Sequence, residues 1–235
     1  MNEIIQIENI KKIFGKLDVL KGVSCSFDGA QTVGILGPNA SGKTTLIKSI
    51  LGMVIPDSGQ ILFRGSPVIK TYHYKEDIGY MPQIGRYPDN MKVGQLFEMM
   101  KDIRRRKTGL DTELLEAFDL PSIFNKTMRT LSGGTRQKVS ASLAFLFNPS
   151  VLILDEPSAG LDPIAAEILK AKILKEKMQG KLLLITSHIM SEVDEIADKV
   201  LYLFEGNIKF FKPLDDLKAE TGEQRLGKAL TKILR

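Results

Sequence analysis

The chain has 235 residues and a net charge of +5, with 33 Lys or Arg against 28 Asp or Glu. Its one cysteine, Cys25, excludes an internal disulfide, and with only His73 and His188 beside it there is no Cys/His cluster to hold zinc, which suits a reducing compartment. A chain of this length can bury most of its apolar surface without such staples, and its mild basicity is compatible with lipid headgroups, nucleic acid or an acidic partner without choosing among them.

Residues 1–9 mix polar and apolar side chains and carry Glu3 and Glu8, unlike the basic start and apolar run of a signal peptide. Stretches 5–8, 24–27 and 33–36 read as short strands, the last a compact uncharged run that stops at Gly37. Apolar residues at helical spacing over 45–51 predict a helix, which Gly52 can end. Amphipathic helices are predicted over 93–106 and 111–118, separated by a basic turn, and again over 136–147, so a helical subdomain of about 87–147 is expected. The uncharged run 139–154 is split by Asn148, Pro149 and Ser150 and falls short of the roughly 20 apolar residues of a membrane span. Beyond it, strands at 151–154, 182–185 and 200–204 alternate with helices at 163–178 and 191–197, and Gly206-Asn207 offers a turn into 208–211. Continuously apolar strands separated by helices imply a parallel sheet covered on both faces. The tail 212–235 is charged and expected to be helical. The expected architecture is α/β: one domain over 1–235, with a mostly parallel sheet, an antiparallel β part at the N-terminus and an inserted helical part.

Gly37-Pro38-Asn39-Ala40-Ser41-Gly42-Lys43-Thr44 fits the phosphate-binding pattern G-x-x-x-x-G-K-[ST] and lies between a predicted strand and a predicted helix, where it must lie to work. Its glycines let backbone N–H groups turn toward phosphate oxygens, and the helix N-terminus behind them adds a positive dipole. Lys43 is expected to neutralise the β- and γ-phosphates and the Thr44 hydroxyl to ligate Mg²⁺, with Thr45 next in the cradle. The apolar strand 151–154 runs into Asp155 and Glu156. One acid there could mark only the arrival of the chain at solvent, but two followed by Pro157 suggest a pair in which Asp155 holds Mg²⁺ and Glu156 polarises the attacking water.

With these motifs in order, the chain resembles the nucleotide-binding subunits of ABC transporters over nearly its full length. The diagnostic segment is Leu131-Ser132-Gly133-Gly134-Thr135, which is similar to the family's signature loop; alone it would be only a turn and helix cap. The resemblance implies that Phe14 stacks on adenine, although a core role is as common for a Phe there. It also implies that Gln83 contacts Mg²⁺ and water, that residues 158–162 cross a dimer interface, and that His188 touches the γ-phosphate. Two departures stand out: Ala40 occupies a position that is commonly glycine, an exchange expected to require negative φ, and Thr135 replaces the usual glutamine. Activity is expected to survive both.

The function so implied is an ATPase using ATP and Mg²⁺. It is expected to pair with a second, identical ATPase subunit, with Ser132, Gly133 and Gly134 of one chain completing the site of the other. It would drive a separate transmembrane permease from the cytoplasmic face of the membrane, with the docking surface near 84–93. The segment 79–93 looks most like exporter subunits of the ABC-2 kind, and within them the chain is similar to the ATPase of the nitrous-oxide-reductase maturation transporter. The brevity of the tail argues against a large C-terminal regulatory domain. The alternative class is a soluble ABC-type ATPase acting on nucleic acid or ribosomes. The segment from Lys43 to Ser132 has neither the length nor the heptads of chromosome-maintenance members, and a single set of motifs differs from the paired units of translation-factor members. No nucleic-acid partner is expected. The basic run 101–107 is weighed as a solvated helix face against a lipid or RNA contact.

Overall fold

The computed structural model describes residues 3–69 and 71–234; Met1, Asn2, Lys70 and Arg235, included in the domain expected over 1–235, lie outside the described residues. In chain order, β1 (Glu3–Phe14), β2 (Leu17–Asp28) and β3 (Gln31–Leu36) lead to α1 (Lys43–Ile50). There follow β4 (Ser58–Phe63), the short β5 (Ser66–Pro67), β6 (Ile78–Met81), α2 (Val93–Ile103), α3 (Glu113–Ala117) and α4 (Gly133–Phe145). The rest comprises β7 (Val151–Asp155), α5 (Pro163–Met178), β8 (Leu182–Thr186), α6 (Met190–Ile196), β9 (Lys199–Phe204), β10 (Asn207–Pro213), α7 (Leu214–Thr221) and α8 (Leu226–Ile233). By contacts the chain divides into two compact units, Met1–Lys75 with Lys177–Arg235, and Glu76–Glu176.

In the first unit, β1 and β2 form a long antiparallel hairpin, bulged near Asn9, and the sheet runs β2-β1-β4-β5. A second set of strands runs β10-β9-β3-β8, with β3 parallel to β8 and β9, while β10 returns antiparallel through the Gly206 turn. All six residues of β3 and all five of β8 are buried, which accounts for the uncharged runs 33–36 and 182–185 within them. The charged tail becomes α7 and α8, broken at Gly222, whose φ of 70° is the left-handed conformation that glycine adopts at low cost at a helix end. Leu214, Leu217, Leu226, Ala229 and Leu230 from this pair share a core cluster with Leu36, Val193, Ala197 and Val200.

In the second unit, β6 and β7 pair in parallel, and α4 packs on β6 so closely that a Cβ on Gly79 would fall 2.0 Å from the Ala144 carbonyl. Val93, Leu96 and Phe97 of α2 pack with Val139 of α4 and with Leu120, Met128 and Leu131 between those helices. The helix expected over 93–106 stops at Ile103, because Arg105 turns to a φ of 48° and its neighbours fold back. Arg106 donates 2.8 Å bonds to the carbonyls of Phe147 and Gly109, and the Arg104 guanidinium lies 5.4 Å from the Phe147 ring centroid. Lys101 and Lys107 pair with Glu98 and Asp102. Most of the basic run is therefore engaged within its own unit, which favours the structural reading of it.

A buried ionic cluster fastens the same unit. Lys172, 3% exposed, lies 2.5 Å from Asp111, 2.8 Å from Glu113 and 2.8 Å from Glu176, itself 1% exposed. Its ammonium is held above the ordinary lysine range by hydrogen bonds to the three carboxylates, against the desolvation that opposes charge there. Removing one member of a buried ionic set leaves the others poorly compensated, at a typical cost of about 3–5 kcal/mol. Lys172→Ala is accordingly expected to lower the urea midpoint of unfolding by an amount equivalent to about 3 kcal/mol.

Candidate nucleotide site

Two sets of candidate residues emerge at the carboxyl ends of parallel strands, the usual place for ligands in α/β sheets. In the first unit, β3 and β8 are adjacent, with Ile35 opposite Thr186, so the loop that begins at Gly37 and the loop that carries His188 leave from the same end. In the second, Met81 is opposite Leu154, so Gln83 and the Asp155-Glu156 pair likewise leave from one end of β6 and β7. Phe14 stands apart from the strand ends, at the tip of the β1–β2 hairpin, 49% exposed, with Lys12 Nζ 5.3 Å from its ring centroid. An aromatic face so presented is available for stacking on a base.

The loop from Gly37 to Thr44 is set by backbone conformations that few residues tolerate. Gly37 has φ 147° and a Cβ there would meet the Leu203 carbonyl at 2.0 Å; Gly42 has φ 107°, and its Cβ would lie 2.9 Å from Leu20 Cδ2 and from the Val19 carbonyl. Only glycine fits under β2 at that point. Lys43 begins α1 and bends over the loop, its Nζ donating to the carbonyls of Gly37 at 2.8 Å and Pro38 at 2.9 Å. The Ser41 hydroxyl is buried and finds no partner among the described residues, an arrangement that costs about 1–3 kcal/mol unless a ligand oxygen meets it. Thr44 is exposed at the helix start and Thr45 half-buried behind it.

The expectation for Ala40 is corrected: its φ is 60°, not negative. The loop must turn inward at this residue, and it does so in the left-handed region despite the Cβ, at a cost of about 1–2 kcal/mol. Ala40→Gly relieves that strain but adds chain entropy to the unfolded state, so the expected net gain is about 0.5–1 kcal/mol, read as a rise of about 2 °C in Tm.

In the second unit the acidic pair and the signature segment meet. Asp155 ends β7, nearly buried, and burial together with the Asp155 charge pushes the Tyr80 hydroxyl up to about 12. Glu156 is 8% exposed and held at φ 53°, left-handed backbone that a non-glycine residue keeps only when its surroundings impose it. The Ala159 N–H donates to its carbonyl at 3.1 Å, and Gln137 Nε2 lies 3.5 Å from the same oxygen. Ser132 caps α4: its Oγ accepts from the Thr135 N–H at 3.2 Å and lies 2.8 Å from Thr135 Oγ1. Thr135 thus closes the loop on itself where glutamine was expected. Gly133 faces open space, whereas a Cβ on Gly134 would fall 2.6 Å from the Gly160 carbonyl, so α4 begins against the 158–162 segment. Lys138 pairs with Asp162 at 2.7 Å, and this hydrogen bond, with one from the Ala165 N–H, holds the Asp162 carboxyl below the usual carboxylate range.

His188 is exposed on the short loop between β8 and α6, where the Ser187 hydroxyl accepts from the Ile189 N–H at 3.0 Å and lies 3.3 Å from Glu192 Oε2. Gln83 is exposed just past β6. Gln137 and Lys138 brace Glu156 and Asp162, and their one signal in the sequence is a place within about one turn of the signature loop. Among the described residues no three His, Cys, Asp or Glu side chains gather into a metal cluster. Thr44 in the first unit offers a hydroxyl, and Gln83 and Asp155 in the second offer an amide oxygen and a carboxylate, the oxygen donors that Mg²⁺ takes.

A glycine loop closing on a helix N-terminus after a buried strand, with a lysine folded over it, defines a P-loop nucleotide-binding protein. The order of its further motifs narrows the class: residues 20–159 match the ABC transporter family, and the chain belongs to it as an ATP-binding cassette, an ATPase. It is similar to the ABC transporter ATP-binding protein YhaQ of Bacillus subtilis, 33% identical over 227 residues that cover 95% of this chain and 76% of the relative. It is also similar to the Nod factor export ATP-binding protein I of Burkholderia lata, 32% identical over 210 residues, 86% of this chain and 68% of the relative. The fold matches that of a solved ATP-binding subunit of an ABC transporter with a TM-score of 0.89 at 24% identity, covering 99% of this chain and all of the other. The expected α/β class, with its antiparallel N-terminal sheet and mostly parallel second set of strands, is borne out.

Proposed function

We propose that this chain is the ATP-hydrolysing subunit of an exporter, working as a homodimer on the cytoplasmic face of a membrane through a separate permease. The observation that carries the chemical part is the strained, nearly buried Glu156 at the end of β7, braced beside the signature helix. Lys43 and the N–H groups of the loop bind the phosphates, the Ser41 hydroxyl meets a phosphate oxygen, and Phe14 stacks on the adenine. Mg²⁺, when bound, neutralises charge on the β- and γ-phosphates, with Thr44, Gln83 and Asp155 as the residues that would hold it. Glu156 accepts the proton of the attacking water and His188 orients the γ-phosphate. Ser132, Gly133 and Gly134 of a second chain complete the site, so ATP favours the closed pair and its loss releases it.

The export relative named above supports the direction of transport. No helix among the described residues is long and apolar enough to cross a membrane, consistent with a peripheral subunit that depends on a permease. The internal engagement of Arg104, Arg106, Lys101 and Lys107 weighs against the nucleic-acid reading. Affinity capture of Glu156→Gln protein from detergent-solubilised cells with ATP is expected to recover a multi-span membrane protein; recovery of RNA, DNA or ribosomes in its place contradicts the proposal.

A further inference from the structure

His188 sits on a loop whose two ends are held very differently. Before it, β8 is buried and paired to β3. After it comes α6, seven residues long with no side-chain N-cap, too short to be stable without tertiary support. That support comes from two sides. On one, Val193 packs onto β3 at Gly34, where a Cβ would come within 2.5 Å of Val193 Cγ1. On the other stands the C-terminal pair α7–α8. Asp194 Oδ2 accepts from the Leu226 N–H at 3.2 Å, at the start of α8, and Lys218 of α7 lies 2.6 Å from Asp194 Oδ1. Met190, two residues after His188, approaches α8 closely enough that a Cβ on Gly227 would lie 3.6 Å from its own Cβ. The Lys232 ammonium in turn donates to the Thr221 carbonyl at 2.5 Å, tying α8 to the end of α7.

We infer that α7–α8 is a clamp that sets the position of His188 through α6, with Asp194 as the positioning residue. The carboxylate of Asp194 is hydrogen-bonded to the start of α8 and ion-paired with α7, so it fixes how α6 is seated along β3 and hence where the loop at 187–189 presents the imidazole. This rests on the role proposed for His188 in hydrolysis. Small displacements of a group that meets the reacting phosphate reduce turnover far more than ground-state binding, because the orientation matters most in the transition state.

The test is steady-state MgATP hydrolysis by the full chain, with rates expressed per nucleotide-binding site so that loss of folded protein is not counted. Asp194→Ala is expected to lower kcat about tenfold while KM stays within about twofold. Asp194→Asn, which keeps an acceptor for the Leu226 N–H, is expected to recover most of that loss, and Lys218→Met to give a smaller one. In a His188→Gln background, Asp194→Ala is expected to change kcat by less than about twofold, since residues acting as one unit are not additive. An unchanged kcat in Asp194→Ala, or the same loss on top of His188→Gln, overturns the clamp. A wild-type kcat in His188→Gln alone overturns the role of the histidine itself, a different result.

Discussion

Glu156→Gln is expected to lower ATP hydrolysis by about 10²–10⁴-fold, the range that a positioned general base contributes, while ATP still binds. The glutamine keeps the shape and a hydrogen-bonding oxygen but cannot take the proton of the attacking water. The backbone of residue 156 is imposed from outside the side chain: φ is 53°, with the Ala159 N–H and the Gln137 amide both near its carbonyl. Substituting the carboxylate therefore leaves the strained turn in place, and the loss reads on chemistry and not on folding. Single-turnover hydrolysis alongside equilibrium binding of ATP separates the two. A variant that hydrolyses ATP at the wild-type rate would move the base elsewhere.

The second large effect is on affinity. Lys43→Ala removes the ammonium that spans the phosphate loop and, with it, the bonds to the Gly37 and Pro38 carbonyls that draw the loop into shape. Hydrogen bonds to charged groups contribute about 1.5–3 kcal/mol each, so losing one or two is expected to raise the Kd for ATP about 10²-fold. Titration calorimetry with ADP and ATP reads this directly. If Lys43 neutralises charge on the β- and γ-phosphates as proposed, the loss is greater for ATP than for ADP. Equal losses would assign the lysine to holding the loop alone.

The residues of the nucleotide loop were legible in the sequence because strand, glycine loop and helix follow one another within 31–50, and each element carries its own local signal. The same holds for β7, a continuous apolar run ending in two acids. Less local features were hidden. β4 opens with Ser58-Gly59-Gln60 and so lacks an apolar run, and the four-residue β6 contains a glycine whose value lies in the approach of α4, more than sixty residues away in the chain. The helix α4 begins three residues earlier than its apolar spacing indicated, because Ser132 caps it. The left-handed backbone of Ala40 and Glu156 could not be read from residue type, since alanine and glutamate rarely adopt it and only the surrounding contacts enforce it. The basic run 101–107 is a further case: its composition left a solvated helix face and a lipid or RNA contact both open, and its side chains find carbonyls, an aromatic ring and acids of their own unit.

The idea of a site completed by a second chain is tested most directly by sedimentation velocity of Glu156→Gln protein with and without MgATP. The account predicts a monomer without nucleotide and a stable dimer with ATP that ADP does not support, because only the γ-phosphate engages the partner's Ser132 and the glycines that follow it. A protein that binds ATP stoichiometrically and remains a monomer at concentrations well above its Kd would contradict it.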